Sequence, residues 1–384
     1  VSAPCPDASG GASPAPSAAL AAHAQLDTRV AAGVAKCLSD YFAARRAAAR
    51  GNDACFTEEI VEHLERFTLG GGKRMRPRFA WWGWRAAGGP ESGKQATAAL
   101  RAVSALELIQ ACALIQDDVM DGSTMRRGHP AMHVAFAGTH RVNGWAGDPE
   151  RYGASVAVLA GDLALAWADD MLDEAVEDPG ARSRVREPWR AMRTEMIAGQ
   201  FLDIRAQARS DESEATALRV NRLKTAAYSV ERPLHFGVAL AGADGDLVRA
   251  LRGYGSDVGT AFQLRDDLLD IYGDPSRTGK PVGDDLREGK RTLLLAIGLR
   301  RAREREDRGA ARALRAAVGD SGLTEDDVRA IGALLDELGA RAAVEERLHG
   351  LLERGLRHIA EAPIGGTARD ALRALAHKAT SRVH

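Results

Sequence analysis

Along most of this chain apolar residues recur three and four positions apart, the interval that gathers them on one face of a helix. The pattern predicts helices over residues 20–50, 57–69, 77–88, 94–121, 152–177, 183–206, 214–229, 231–241, 245–272, 291–306, 310–319, 324–338, 340–360 and 367–378. Ala, Leu, Arg and Glu dominate these stretches, and all four favour helix. No alternating β-branched run bounded by hairpin turns interrupts them. The breaks have local causes. Gly70-Gly71-Gly72 stops one helix, and Pro77 suits the first turn of the next. Gly128 and Pro130 end the run after 94–121. Residues 138–153 hold four glycines and a proline and read as a loop. Gly273, Pro275, Gly279, Pro281 and Gly283 read as another. Many helices joined by short turns make the fold class all-α, a large bundle. One large domain or two smaller ones fit 384 residues. Residues 1–18, rich in Ala, Ser, Pro and Gly, read as a disordered tail.

Charge narrows the range of partners. The chain has 52 basic and 53 acidic residues, a formal net charge of -1, with no clustered basic excess, so no nucleic-acid partner is expected. Cys5, Cys37, Cys55 and Cys112 form neither a C-x-x-C pair nor a zinc spacing, and a reducing, cytoplasmic setting is the expectation. The best candidate for a membrane span, Ala154–Ala168, is too short and is interrupted by Asp162. The N-terminus lacks the basic and apolar regions of a signal peptide.

The chemistry-bearing pattern is a motif that occurs twice. Asp117-Asp118-Val119-Met120-Asp121 and Asp266-Asp267-Leu268-Leu269-Asp270 both read D-D-x-x-D, and both follow apolar helical runs. On a helix, Asp117 stands over Asp121 and Asp266 over Asp270. Like charges at that spacing destabilise a helix by a few tenths of a kcal/mol, roughly 0.2–0.5. Facing one another across a cavity they repel more, about 4 kcal/mol per pair at 4 Å and an effective dielectric near 20. Protons or cations must compensate. Oxygen ligands beside phosphate suit Mg²⁺.

A diphosphate also needs cationic partners. Gly70-Gly71-Gly72-Lys73-Arg74-Met75-Arg76-Pro77 combines flexible glycines, three cations and a helix start. Arg126-Arg127-Gly128 follows the first aspartate cluster, and Gly279-Lys280 to Lys290 follows the second as a candidate lid.

These motifs, taken in order, resemble the polyprenyl synthetase family of trans-isoprenyl diphosphate synthases. The resemblance runs from Phe56 to Lys290: G-G-K-R-x-R-P, E-L-I-Q-x-x-x-L-I-x-D-D-x-x-D, R-R-G-x-P, L-A-G-D, G-Q-x-x-D, K-T, F-Q-x-x-D-D-x-x-D and T-G-K-P-x-G-D-D-L-x-E-G-K. It implies one helical domain over residues 19–384 around a central cavity, usually as a homodimer. It implies that Asp117, Asp121 and Asp266 bind Mg²⁺, supported by Asp118, Asp267 and Asp270, the last also a ligand. Arg126, Lys224, Gln263 and Lys280 would hold the allylic diphosphate. Lys73, Arg76, Gln110 and Arg127 would hold isopentenyl diphosphate, with Gln200 and Thr225 at the reaction centre. Gln116 departs from the histidine common in bacterial relatives.

The implied reaction is ionisation of the allylic diphosphate, attack by the isopentenyl double bond, and proton loss to pyrophosphate. Water must be excluded from such a site. Cys112 and Ala113, one turn before Asp117, are small and would leave the product tunnel open there. A floor would then come from Trp167 or Met171 on a facing helix. The central expectation is a C20 product, geranylgeranyl diphosphate, with C15 or C25 and longer as alternatives. A terpene cyclase normally carries a different second metal motif. A regulatory subunit of a heteromeric synthase typically lacks one aspartate cluster, and both clusters are intact here.

Overall fold

The spacing of apolar residues is realised as helix almost throughout. This computed structural model describes residues 26–274 and 282–381. The tail expected over 1–18 and the loop lysine Lys280 lie outside them. The helices are α1 (Leu26–Asn52), α2 (Glu62–Leu69), α3 (Met75–Ala86), α4 (Gly93–Asp121), α5 (Met132–Val142), α6 (Pro149–Ala175), α7 (Pro179–Ala208) and α8 (Glu214–Val220). They continue as α9 (Arg232–Ala241), α10 (Gly245–Tyr272), α11 (Asp284–Arg287), α12 (Leu293–Glu304), α13 (Arg308–Ala317), α14 (Glu325–Glu337), α15 (Ala340–Glu361) and α16 (Gly366–Ser381). A π-helical turn, Thr57–Val61, leads into α2, and a longer π-helical stretch, Asn221–Glu231, joins α8 to α9.

Local chemistry sets the ends. Asp148 and Asp178 accept from the N–H groups of Glu150 and Ala181, and Pro149 and Pro179 fill first-turn positions that need no donor. Helix α4 stops where Gly122 takes a left-handed φ of 68°, directly after Asp121. The first aspartate cluster therefore occupies the last turn of a core helix, with Leu106, Leu108, Ile109 and Ile115 fully enclosed behind it. Helix α4 lies along α6, and α10 lies along α15 and the Asn221–Glu231 stretch. The larger core cluster surrounds Phe42, Phe79, Trp81 and Tyr254, and a smaller one lies around Leu268, Leu293, Leu299 and Leu314.

Three local expectations are corrected. Residues 138–153 are not a loop: α5 runs to Val142 and α6 starts at Pro149. Gly153 is there for close packing, since a Cβ on it would meet the His133 carbonyl oxygen at 2.1 Å. A short antiparallel ladder also forms, β1 (Met125–Arg126) with β2 (His129–Pro130). Arg127 and Gly128 turn it with φ of 53° and 79°, the paired positive values of a two-residue hairpin. Two residues per strand are too few to show alternation in a sequence. Finally, the described helix long and apolar enough to cross a membrane is α4 rather than Ala154–Ala168, and 72% of its apolar window is buried inside the fold.

Candidate active site

Asp117, Asp118 and Asp121 end α4, and Asp266, Asp267 and Asp270 end α10. Lysines and an arginine take up the space around them. Lys224 Nζ lies 3.0 Å from Asp117 and 2.7 Å from Asp203. Lys290 Nζ lies 3.4 Å from Asp121, 3.3 Å from Asp285 and 2.6 Å from Glu288. Arg126 Nε donates to Asp118 at 2.8 Å, and its Nη2 approaches Asp117 at 3.6 Å.

Two chains of contacts run from one cluster to the other. The Asp285 N–H donates to the Asp270 carboxylate at 3.2 Å, so Asp121, Lys290, Asp285 and Asp270 form a line. On the other side, the residue after Lys224 continues the path. Thr225 Oγ1 donates to Gln263 Oε1 at 2.6 Å, and Gln263 Nε2 donates to Asp267 at 2.7 Å.

The Asn221–Glu231 stretch delivers Lys224 and Thr225, and glycines hold it in place. A Cβ on Gly199 of α7 would meet the Lys224 backbone nitrogen at 2.3 Å, and one on Gly259 of α10 would meet Ala226 Cα at 2.7 Å. Backbone is thus pressed on backbone from both sides. π-Helical turns are uncommon and cluster at functional sites.

The carboxylates are electrostatically divided. Burial raises Asp121 to about 6, with the charge of Asp117 adding and Lys290 opposing. Burial, then the charge of Asp285, lifts Asp267 to about 8 and raises Asp270 well above the ordinary carboxyl range. Burial pushes Asp117 up as well, but Lys224 and Lys290 outweigh it and hold Asp117 below that range. Burial opposes the charge on Lys224, yet Asp117 and Asp203 outweigh it and raise the ammonium.

Among the described residues, no three His, Cys, Asp or Glu side chains already converge as a metal cage. The donor set still fits a hard dication. It is all oxygen. Asp118 Oδ2 and Asp121 Oδ2 are buried and accept no aligned hydrogen bond from described residues. Raised acids such as Asp121 and Asp270 are carboxyls short of positive charge.

The cationic side is organised from the same π-helical stretch. Arg76 lies over the Tyr228 ring, 4.1 Å from its centroid, and donates to Ser229 Oγ at 2.6 Å. Tyr228 donates to Gln110 Oε1 at 2.5 Å. Arg127 Nη1 donates to the Gly71 carbonyl at 3.3 Å, drawing the hairpin onto the glycine loop. Lys73 is exposed on that loop. Gln200 meets the Met120 sulfur at 3.8 Å. Cys112 is buried and Ala113 half-buried on α4. Trp167 packs edge-on against Tyr41 and Phe42, and Met171 is buried. Gln116 donates to Asp162 at 3.0 Å.

Sequence reasoning assigned no role to several of these partners. Asp203 stands inside a recognised motif, G-Q-x-x-D, and was legible there as a charge without a task, while Lys290 was legible as the end of the candidate lid and not as a partner of Asp121. Tyr228 and Ser229 carried no signal, because their direction depends on the π-helical register.

Aspartate pairs on two converging helices, with cations set beside them for an anion, are the apparatus of an all-helical prenyltransferase that works on diphosphates. The sequence model of the polyprenyl synthetase family matches residues 57–334, and the chain belongs to that family. A crystal structure of geranylgeranyl pyrophosphate synthase from Corynebacterium glutamicum, complexed with isoprenyl diphosphate and magnesium, is similar at 45% identity. The match covers 92% of this chain and 99% of that one, with a TM-score of 0.87. The geranylfarnesyl diphosphate synthase of Aeropyrum pernix is 31% identical over 74% of this chain and 81% of its own. The (2E,6E)-farnesyl diphosphate synthase of Mycobacterium bovis is 32% identical over 81% of this chain and 80% of its own.

Proposed function

We propose that residues 19–384 form one catalytic domain that condenses an allylic diphosphate with isopentenyl diphosphate, dependent on Mg²⁺, releasing pyrophosphate. The observation that carries this reading is the pair of contact chains, through Lys290 and through Thr225–Gln263, that make the two aspartate clusters one centre. Asp117, Asp121, Asp266 and Asp270 hold the metal, which when bound stabilises charge on the departing diphosphate. Lys224 and Arg126, already poised on the first cluster, turn their charge to the allylic diphosphate with Gln263 and Lys280. Arg76, Gln110, Arg127 and Lys73 hold the second diphosphate. Gln200 and Thr225 border the reacting carbons. The buried faces of α4 and α6 exclude water that would quench an allylic cation.

The main product in this reading is geranylgeranyl diphosphate: Cys112 and Ala113 leave the tunnel open one turn above Asp117, and Trp167 or Met171 of α6 supplies its floor. The named relatives make farnesyl, geranylgeranyl and geranylfarnesyl diphosphates, which brackets the same range. The enzyme works as a homodimer. Ile197, Phe201 and Ile204 are exposed along one face of α7, and Val158 and Leu159 of α6 are exposed as well. An apolar stripe of that kind suits a second copy of the chain. The free thiols of Cys37, Cys55 and Cys112 support a cytoplasmic setting.

The test is purified protein with Mg²⁺, isopentenyl diphosphate and allylic starters of increasing length. Pyrophosphate release and chromatography of dephosphorylated products report turnover and chain length. No pyrophosphate release with any starter would sink the proposal. Phe201→Glu should shift the protein from dimer to monomer in sedimentation.

A further inference from the structure

Resting on that reading, we infer that Glu107 is a positioning residue for isopentenyl diphosphate: through Arg74 it fixes the loop and helix start that present Lys73 and Arg76. Arg74 differs from its neighbours. Lys73 is exposed, whereas Arg74 is buried with its side chain turned inward. Its φ is 50°, a left-handed conformation that a residue with a side chain holds only when its surroundings impose it. Two contacts impose it. Arg74 Nη1 donates to Glu107 Oε2 at 2.5 Å, and Nη2 donates to the Leu69 carbonyl at 3.2 Å. Both charged partners are buried, at 7% and 5% exposure, so this pair anchors the loop rather than decorating a surface.

The anchor sits on the helix that carries the rest of the site. Glu107 is one turn before Gln110 on α4, and the same helix ends in Asp117 and Asp121. Fixing Arg74 to Glu107 therefore sets the distance between the Lys73–Arg76 segment and the first aspartate cluster. The charge arithmetic agrees. Arg74, Arg76 and Arg126 each repel the Arg127 guanidinium, and Glu107 is the buried anion that attracts it. Arg127 packs directly on the loop: a Cβ on Gly72 would lie 3.2 Å from its Nη2. With Arg74 neutralised by Glu107, Arg76 and Arg127 are the cations this region offers to the incoming anion.

A merely structural pair would tolerate replacement by apolar residues of similar volume, which is often neutral for stability. A positioning pair would not. The test is steady-state kinetics of the full chain on both substrates with Arg74→Met/Glu107→Leu, alongside Glu107→Gln. Weakening one charge-assisted hydrogen bond to a bound anion lowers affinity roughly ten- to a hundredfold. The expected result for the double variant is a KM for isopentenyl diphosphate raised roughly ten- to a hundredfold. The KM for the allylic substrate should stay near wild type and kcat should change less. Glu107→Gln keeps the shape and an acceptor but loses the charge, and should raise the same KM a few-fold. A folded double variant with the wild-type KM for isopentenyl diphosphate overturns the inference. If the double variant does not fold, an unchanged KM in Glu107→Gln overturns it instead. A wild-type enzyme that releases no pyrophosphate overturns the functional reading and this inference together, a result distinct from either variant outcome.

Discussion

Replacing Gly199 by alanine puts a methyl group where α7 and the Asn221–Glu231 stretch touch backbone to backbone. The new Cβ would lie 2.3 Å from Lys224 N and 2.6 Å from Lys224 Cα, while ordinary contact begins at 3.4 Å. Backbone cannot swing aside as a side chain does, so the two elements must part by about 1 Å. Overpacking of this kind costs roughly 1–3 kcal/mol, well within the stability of a folded domain. The catalytic cost is larger, because the displaced residues are Lys224 and Thr225 themselves. A shift of about 1 Å in positioning groups costs on the order of a hundredfold in rate. Gly199→Ala should therefore melt cooperatively a few degrees below wild type while kcat falls at least about tenfold. Gly138→Ala in α5 is the control. A Cβ there meets nothing within 4 Å, and removing a mid-helix glycine gains about 0.5–1 kcal/mol. Its kcat should be unchanged. Wild-type kcat and melting temperature in Gly199→Ala would show that the close approach does not position Lys224.

Other outcomes follow from the same geometry. Asp117→Ala or Asp266→Ala should lower turnover by orders of magnitude with the helical circular dichroism intact; near-normal rates in both at saturating Mg²⁺ would refute the site. Arg76→Ala should raise the KM for isopentenyl diphosphate more than that for the allylic substrate, and Lys224→Ala the reverse; equal effects would contradict separate subsites. Asp267 is raised to about 8, so the folded state holds a proton that the unfolded chain releases from about pH 4 upward. Its contribution is fully present at low pH and lost as pH rises through 8, so metal-free protein should melt higher at pH 6 than at pH 8, and Asp267→Asn should flatten that slope. Cys112→Phe forces a ring into a fully buried position at a cost of roughly 1–3 kcal/mol and should shorten the main product by at least one isoprene unit. An unchanged product distribution from active Cys112→Phe would show that the chain does not pass there.

The helices were legible because their apolar periodicity is long and their stops are chemical. The segment 245–272 is bounded as the pattern requires, and α4 ends at the glycine after Asp121. Residues 138–153 misled because a glycine has two uses. Gly153 permits α5 and α6 to touch, and composition alone does not separate that from a loop. The aspartates and arginines were legible as residue types at a spacing. Their partners were not, since Lys224 with Asp203 and Arg74 with Glu107 are tertiary meetings. The π-helical stretch was the hardest feature to see. One continuous apolar pattern covered 214–229, and nothing in it marked the change in turn that points Tyr228 at Gln110.

The lysines on the aspartates bear on the order of events. Lys224 and Lys290 already neutralise part of the carboxylate charge. A dication entering alone would meet ammonium groups as well as carboxylates, and the two kinds of cation would compete. A diphosphate entering with it changes the balance, because each lysine then gains an anion of its own as it yields the aspartate. Metal and diphosphate should therefore bind with positive thermodynamic coupling, each tightening the other by the same factor. The salt links of Lys224 and Lys290 to the aspartates would then act as the threshold for loading the centre.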